Sequence, residues 1–478
     1  MPTKIPGPPG IPLLGNVFDI DPNETWNSLN KLAKQYGMTA VHGPRQYLVP
    51  TSNLSFLKGS IFKINALGHE IVFIGSVALL EEICDETRFR KCVTGPVVEI
   101  RYAVNDSLFT AYDHEKSWGI AHRIMMPHLT QSATDNLFGD MAEVIPDLTK
   151  KWSAGTKTRT LLTNDLDRLL LASCMQSFFN QRVHVLEGTE PPMISAMAGA
   201  TMEAMKRPAR PKFLTRLLYQ RRFEKDTKTM RDFAAQVIKT RREQPETARK
   251  DILDAMMNGA DPESGEKLSE SQIIDEIISI FIGAATAPNL ISYALYYLMQ
   301  NPSEIKKAQE EIDRVVGDGK IDLEHLKSLN YVEAILRESI RLCATAPGFN
   351  IEPIPSDNKS PILLAGGEYQ IAHNQPMIAV LSQVNRDPAV FEDPDAFKPE
   401  RVLGEKWDQL PAAAKKGFGN GKRECIGKLW AWRWSFFTLA SIIKETTFEL
   451  ADPNYKLESN GAFSIKPLEF YGLVSPRK

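Results

Sequence analysis

Phe418-Gly-Asn-Gly-Lys-Arg-Glu-Cys425-Ile-Gly427 decides the fold of this chain. One cysteine closes a glycine-punctuated turn, with Lys422 and Arg423 just upstream and an apolar helical run after it. Glycines let a backbone curl close to a flat ligand. Backbone N–H groups near the sulfur, and the N-terminus of the following helix, favour an anionic thiolate. A thiolate held in this way is one of the few protein ligands that lets haem iron split an O–O bond. A lone buried cysteine on a glycine turn would be the plain alternative, but it does not need the whole ten-residue pattern.

The rest of the composition narrows the class. At 478 residues the chain can bury a large core, and 43% hydrophobic with 24% charged residues is ordinary for a globular protein. A net charge of −2 gives no bias toward nucleic acid or anionic lipid. The five cysteines (Cys84, Cys92, Cys174, Cys343 and Cys425) are odd in number and lack metal-type spacing, which points to a reducing, cytoplasmic setting. Read by eye, no run of about twenty apolar residues stands out as a transmembrane segment. The Pro-rich Ile5-Pro-Gly-Pro-Pro-Gly10 starts almost at residue one, so the expectation is a soluble protein.

Along the chain, residues 23–36 read as a helix with Asn23 as its cap. Residues 61–75 alternate apolar and polar around Gly68, a strand pair. Helical periodicity dominates from about 77 to 345. Short strand-like pieces broken by Pro353, Pro355, Pro361 and Gly366-Gly367 fill 350–384. The run 271–300 is nearly all apolar and reads as a helix buried through the centre, with a kink at Pro288. The expected class is mostly α with a small β region.

The stretch from Phe418 resembles the haem-ligand loop of the cytochromes P450, and the pattern Phe-x-x-Gly-x-Arg-x-Cys-x-Gly is complete. The resemblance implies the cytochrome P450 fold, one haem-binding domain over 1–478, haem b as cofactor and Cys425 as the iron ligand, with Phe418 beside it. Glu338-Ser-Ile-Arg341 puts an acid and a base on one helix face, a trivial pair taken alone. With Pro399-Glu-Arg401 downstream, its order resembles the family's buried Glu–Arg–Arg brace, a structural role suited to Arg's planar fork. Trp118, His122 and Arg123 follow on one helix. The family places a Trp and a basic residue there against a haem propionate, and Arg423 resembles the second propionate partner.

The central helix departs from the family pattern. It reads Ile282-Gly283-Ala284-Ala285-Thr286-Ala287-Pro288, so Gly283 and Thr286 remain, while the acid position is Ala285. Oxygen activation needs protons delivered inside a dry pocket, normally by an acid–alcohol pair, and an alanine cannot relay.

Over about residues 20–475 the chain resembles the haem domains of self-sufficient fatty-acid hydroxylases of fungi and bacteria. The text that carries this includes Glu82-Ile-Cys-Asp-Glu-Thr-Arg-Phe89, Ser107 to Lys116, Asn258 to Gly265 and Thr345-Ala-Pro347. No flavin or nicotinamide region accompanies it, so an NADPH-dependent flavin reductase is expected as electron donor, either in trans or as a removed fusion partner. Thr39–Gly59 looks inserted. His69 and Phe73 stand where that family's fatty-carboxylate clamp falls, which argues against a long-chain fatty acid. Val104, Phe109, Ile282, Ala346 and Phe349 match positions that line the pocket above the haem. The set is apolar, so the expected substrate is an apolar small molecule, of the secondary-metabolite kind. The basic stretch Lys206 to Arg222 corresponds to the family's pocket mouth and reads first as a solvated face.

Three readings of function stand at this point. The first is monooxygenation with Gly283, Ala285 and Thr286 at the oxygen site. The second is peroxide-dependent or redox-neutral haem chemistry, rearrangement or dehydration, on the warrant of Ala285. The third is a haem-binding protein without turnover.

Overall fold

The structure is a computed structural model that describes residues 2–37, 61–245, 249–358 and 360–477. The inserted-looking 39–59 lies outside the described residues. The chain forms two compact units.

The first unit holds Met1–Thr94, Arg341–Ala396 and Asp408–Glu424. Helix α1 spans Thr25–Leu32 and continues as a wider turn through Ala33–Gly37. Asn23 does not cap it. Glu24 holds the cap position, and the Asn23 amide donates to Asp21 instead. Strands β1 (Ile61–Ala66) and β2 (His69–Ile74) pair antiparallel around Leu67 and Gly68, both at positive φ, as the alternation required. Helix α2 (Val77–Ile83) follows, capped by the Ser76 hydroxyl, and then the short β3 (Phe89–Lys91). After the break come β4 (Gly348–Pro353), the hairpin of β5 (Ile362–Leu364) and β6 (Tyr369–Ile371), and β7 (Met377–Val380). The five-stranded sheet runs β1-β2-β7-β4-β3, with β2–β7 its one parallel pairing. Phe73 stacks on Phe62 in this unit's core, and His69 is exposed at the start of β2.

The second unit holds Gly95–Ile340, Phe397–Trp407 and Cys425–Lys478, and is mostly helical. The helices that bear on the site are α3 (Pro96–Val104), α4 (Lys116–Met125), α5 (Leu162–Phe179), α6 (Pro192–Lys206), α7 (Glu270–Ala284), α8 (Thr286–Gln300), α9 (Asn330–Leu342) and α10 (Lys428–Glu445). Aromatic side chains that no solvent reaches, among them Trp152, Phe179, Phe281, Trp430 and Trp434, make its core. Three strands absent from the sequence reading form an antiparallel sheet, with Tyr471–Pro476 between Thr158–Leu161 and Thr446–Leu450.

The apolar run 270–300 is long and apolar enough to cross a membrane, contrary to the reading by eye. However, 67% of its most apolar window is buried inside the protein, which is the state of a core helix. It opens on a Ser269/Gln272 capping box and breaks at Ala285, three residues before Pro288. Proline has no N–H for the carbonyl four residues back and its ring crowds that carbonyl, so the distortion falls on the preceding turn.

Candidate functional site

In the first unit the glycine turn packs against the end of α2. Asn420 donates its side-chain N–H to the Cys84 carbonyl at 2.8 Å, and the Lys422 amide donates to Glu86 Oε1 at 2.8 Å. Gly421 sits at φ +57°, a conformation that favours glycine, and a Cβ there would push the Glu86 carboxylate aside. Phe418 and Arg423 are half-buried on this turn. Lys91, at the end of β3, faces the same charge. Burial and the Arg423 guanidinium push its ammonium down to about 7. Two crowded cations in a half-buried place suit an anion such as a propionate carboxylate. The sequence reading missed Lys91. Its signal was a cation two residues beyond Phe89, on a strand too short to show alternation.

In the second unit Cys425 is exposed and stands three residues before α10. Its carbonyl accepts from the Lys428 amide at 3.2 Å, so the sulfur is carried at the N-terminal end of an 18-residue helix, where the dipole favours a thiolate. The other cysteines with resolved shifts are in the opposite condition. Burial pushes the Cys84 thiol up to about 11 and holds Cys92 and Cys174 higher still. Among the described cysteines, Cys425 is the exposed one and the one at a helix N-terminus.

Trp118 and His122 stack face to face on α4 with centroids 5.0 Å apart, as four-residue spacing predicts. Arg123 leaves that pair. Its Nε and Nη2 donate to both Asp261 oxygens at 2.5 and 2.8 Å, and Glu263 lies 3.0 Å from Nη1. The same guanidinium holds the Asp261 carboxyl well below the usual carboxylate range. Arg123 is a structural clamp on the 258–265 loop.

The central helix opens at the expected place. Ile282 is buried and Ala287 is buried, but Gly283 is exposed and Ala284 to Thr286 are half-buried. A Cβ placed on Gly283 would meet nothing within 4 Å. An open flank in the middle of an otherwise buried helix fits the face of a planar group. Thr286 donates its hydroxyl to the Gly283 carbonyl at 3.0 Å across this flank. Ala285 lines a cleft together with Phe281 and Asp167.

The apolar pocket set draws on both units. Phe109 makes an edge contact with Phe463 at 5.4 Å. Val104 and Ile282 are packed in the second unit's core. Ala346 and Phe349 belong to the first unit, both half-buried. In the basic stretch, Arg207 and Arg210 are taken up by Glu99 and Glu203, so its charge is partly neutralised.

The brace divides its partners. Glu338 and Arg341 are both buried on α9. Glu338 Oε1 accepts from Arg401 Nε at 3.0 Å and from the Lys398 amide at 2.9 Å. Arg341 donates to the carbonyls of Asn385, Pro394 and Ala396.

Comparison with known proteins gives the same identity. The chain is 36% identical over 98% of its length to a bifunctional cytochrome P450/NADPH–P450 reductase of Acremonium egyptiacum, and 34% identical over 98% to one of Aspergillus oryzae. It is 37% identical over 97% to a self-sufficient cytochrome P450 monooxygenase of Penicillium freii. It spans 43%, 41% and 42% of the lengths of these three relatives. The family model described as cytochrome P450 matches residues 5–473, and the chain belongs to that family of haem-iron proteins.

Proposed function

We propose that this chain is the haem-thiolate domain of a monooxygenase that oxygenates an apolar small molecule of the secondary-metabolite kind in the cytoplasm. Electrons come from an NADPH-dependent flavin reductase, the partner fused to the relatives. One oxygen atom enters the substrate, and the other leaves as water with two electrons and two protons. The observation that carries this reading is the exposed Cys425 at the N-terminus of α10, beside cysteines that burial keeps as thiols.

Cys425 would hold the iron as thiolate, and bound haem would supply the oxygen-splitting chemistry. Arg423 and Lys91 of the first unit, and Trp118 and His122 of the second, would offer donors to carboxylates. Gly283 would leave room for a planar ring. Thr286 presents a hydroxyl beside that space, its proton held on the Gly283 carbonyl. Apolar side chains such as Phe109 keep water from the substrate.

Ala285 favours one competing reading, in which peroxide or a redox-neutral step replaces the reductase. A single comparison separates the two. Candidate substrates are offered to the haem-loaded chain with NADPH and a flavin reductase, with peroxide alone, or anaerobically with neither. Product only with the reductase supports monooxygenation, and anaerobic product overturns it. Cys425→His is expected to retain haem and lose the red-shifted Soret band of the reduced carbon-monoxide complex. Retention of that band would remove Cys425 as ligand.

A further inference from the structure

A cleft at the helix break joins Ala285 to a carboxylate. Asp167 of α5, Phe281 and Ala285 line it, with Leu170, Met193 and Met197 among its apolar walls. The space that a water can enter is about 20 Å³. That leaves room for an ordered water beside a polar group. Asp167 is the single ionisable residue in the lining. Its side chain is 16% exposed, and Lys466 Nζ binds Oδ2 at 3.0 Å from the C-terminal loop. Glu190 adds its negative charge, and its carboxylate accepts from the Asn164 side-chain amide at 2.6 Å. No other charged group appears in the interactions of Asp167.

We propose that Asp167, tethered by Lys466, carries protons through this cleft to the break at Ala285 and Thr286. The inference rests on the monooxygenase reading. The Asp167 carboxyl gives its proton to a water in the cleft, and that water passes one of its own to the Thr286 side. The carboxylate regains a proton from bulk water at the mouth. Each passage moves one proton inward, two passages serve one turnover, and the protein's redox state does not change. An acid on α7 is unnecessary, because α5 supplies one across the space that the alanine leaves. Burial pushes the Asp167 carboxyl up and Lys466 pulls it back, which keeps the group exchangeable. Asp167 touches neither substrate nor haem and is a positioning residue for the proton.

The test uses the haem-loaded full chain with a flavin reductase. Asp167→Asn keeps the shape and removes the titration. It is expected to lower product formed per NADPH at least about tenfold, within the usual reach of proton-transfer catalysis. Peroxide-driven turnover, which brings its own protons, should stay near wild type, as should haem content. Ala285→Glu in the Asp167→Asn background should restore coupling. Lys466→Gln removes the counter-charge, raises the Asp167 carboxyl further and moves the alkaline limb of coupling to higher pH. A readout independent of turnover is the infrared carboxyl band that Asp167→Asn abolishes. Its midpoint should lie above the ordinary aspartate range and rise in Lys466→Gln. Wild-type coupling in Asp167→Asn, or equal loss of reductase- and peroxide-driven turnover, overturns the proposal. Absence of a titrating band overturns it too. If wild-type protein itself makes no product with the reductase, the monooxygenase reading fails, and the infrared titration still decides whether Asp167 is an exchangeable acid.

Discussion

Glu338 and Arg401 form a buried ion pair at 3.0 Å, the carboxylate fully enclosed and the guanidinium side chain 14% exposed. The carboxylate also anchors the Lys398 amide, so it ties α9 to the 397–407 segment. Removing one partner strands the other charge out of water, at a cost of roughly 3–5 kcal/mol. Glu338→Ala is therefore expected to give haem-free or insoluble protein, not a slow enzyme. Normal haem content with an unchanged melting temperature would show that the pair is dispensable.

Gly421 is tested by one methyl group. Its φ of +57° and the Glu86 carboxylate 2.2 Å from a built Cβ both reject a side chain. Gly421→Ala should displace Glu86 from the Lys422 amide and loosen the turn that carries Arg423. The strained conformation and lost hydrogen bond together should cost on the order of 2–3 kcal/mol. Faster haem loss to an apo-globin acceptor would register it, and wild-type retention would count against the close fit.

The Arg123–Asp261 clamp predicts an acid-sensitive element. Asp261 is held below its unfolded value, so its contribution is complete above about pH 4 and is lost as pH falls further toward the folded value. Asp261→Asn should lower the melting temperature at neutral pH, and the gap to wild type should narrow in acid. A gap that stays constant from neutral to acidic pH would exclude a titrating clamp.

Substrate choice is tested at β2. His69 is exposed and Phe73 is stacked on Phe62 in the core, so neither offers a buried cation or hydroxyl to a fatty carboxylate. Long-chain fatty acids should give weak or no displacement of the iron-bound water in a spin-state titration. A tight, saturable shift with a simple fatty acid would defeat this expectation.

The strand pair around Gly68 and the buried central helix were legible because each depends on spacing alone. A cysteine at the end of a glycine turn, alternation across β1 and β2, and a long apolar run are local signals. The break at Ala285 followed in the same way from Pro288. Three strands of the second unit were not legible, because Thr158–Leu161 pairs with a segment hundreds of residues away and all three alternate too briefly to register.

Sequence by itself therefore determined the family and the buried helix that breaks before Pro288. These are properties of residues within one or two turns of each other. Tertiary structure alone decided the partners of the charges. Arg123 could pair with a propionate or a carboxylate, and the approach of the 258–265 loop gives it to Asp261. Lys91 became a candidate anion ligand only when Arg423 folded beside it. Ala285 looked like a missing acid until α5 placed Asp167 on the same cleft. Electrostatic interactions act through space at a few ångströms, so the meaning of a charged residue is set by what packs against it, whatever its distance along the chain.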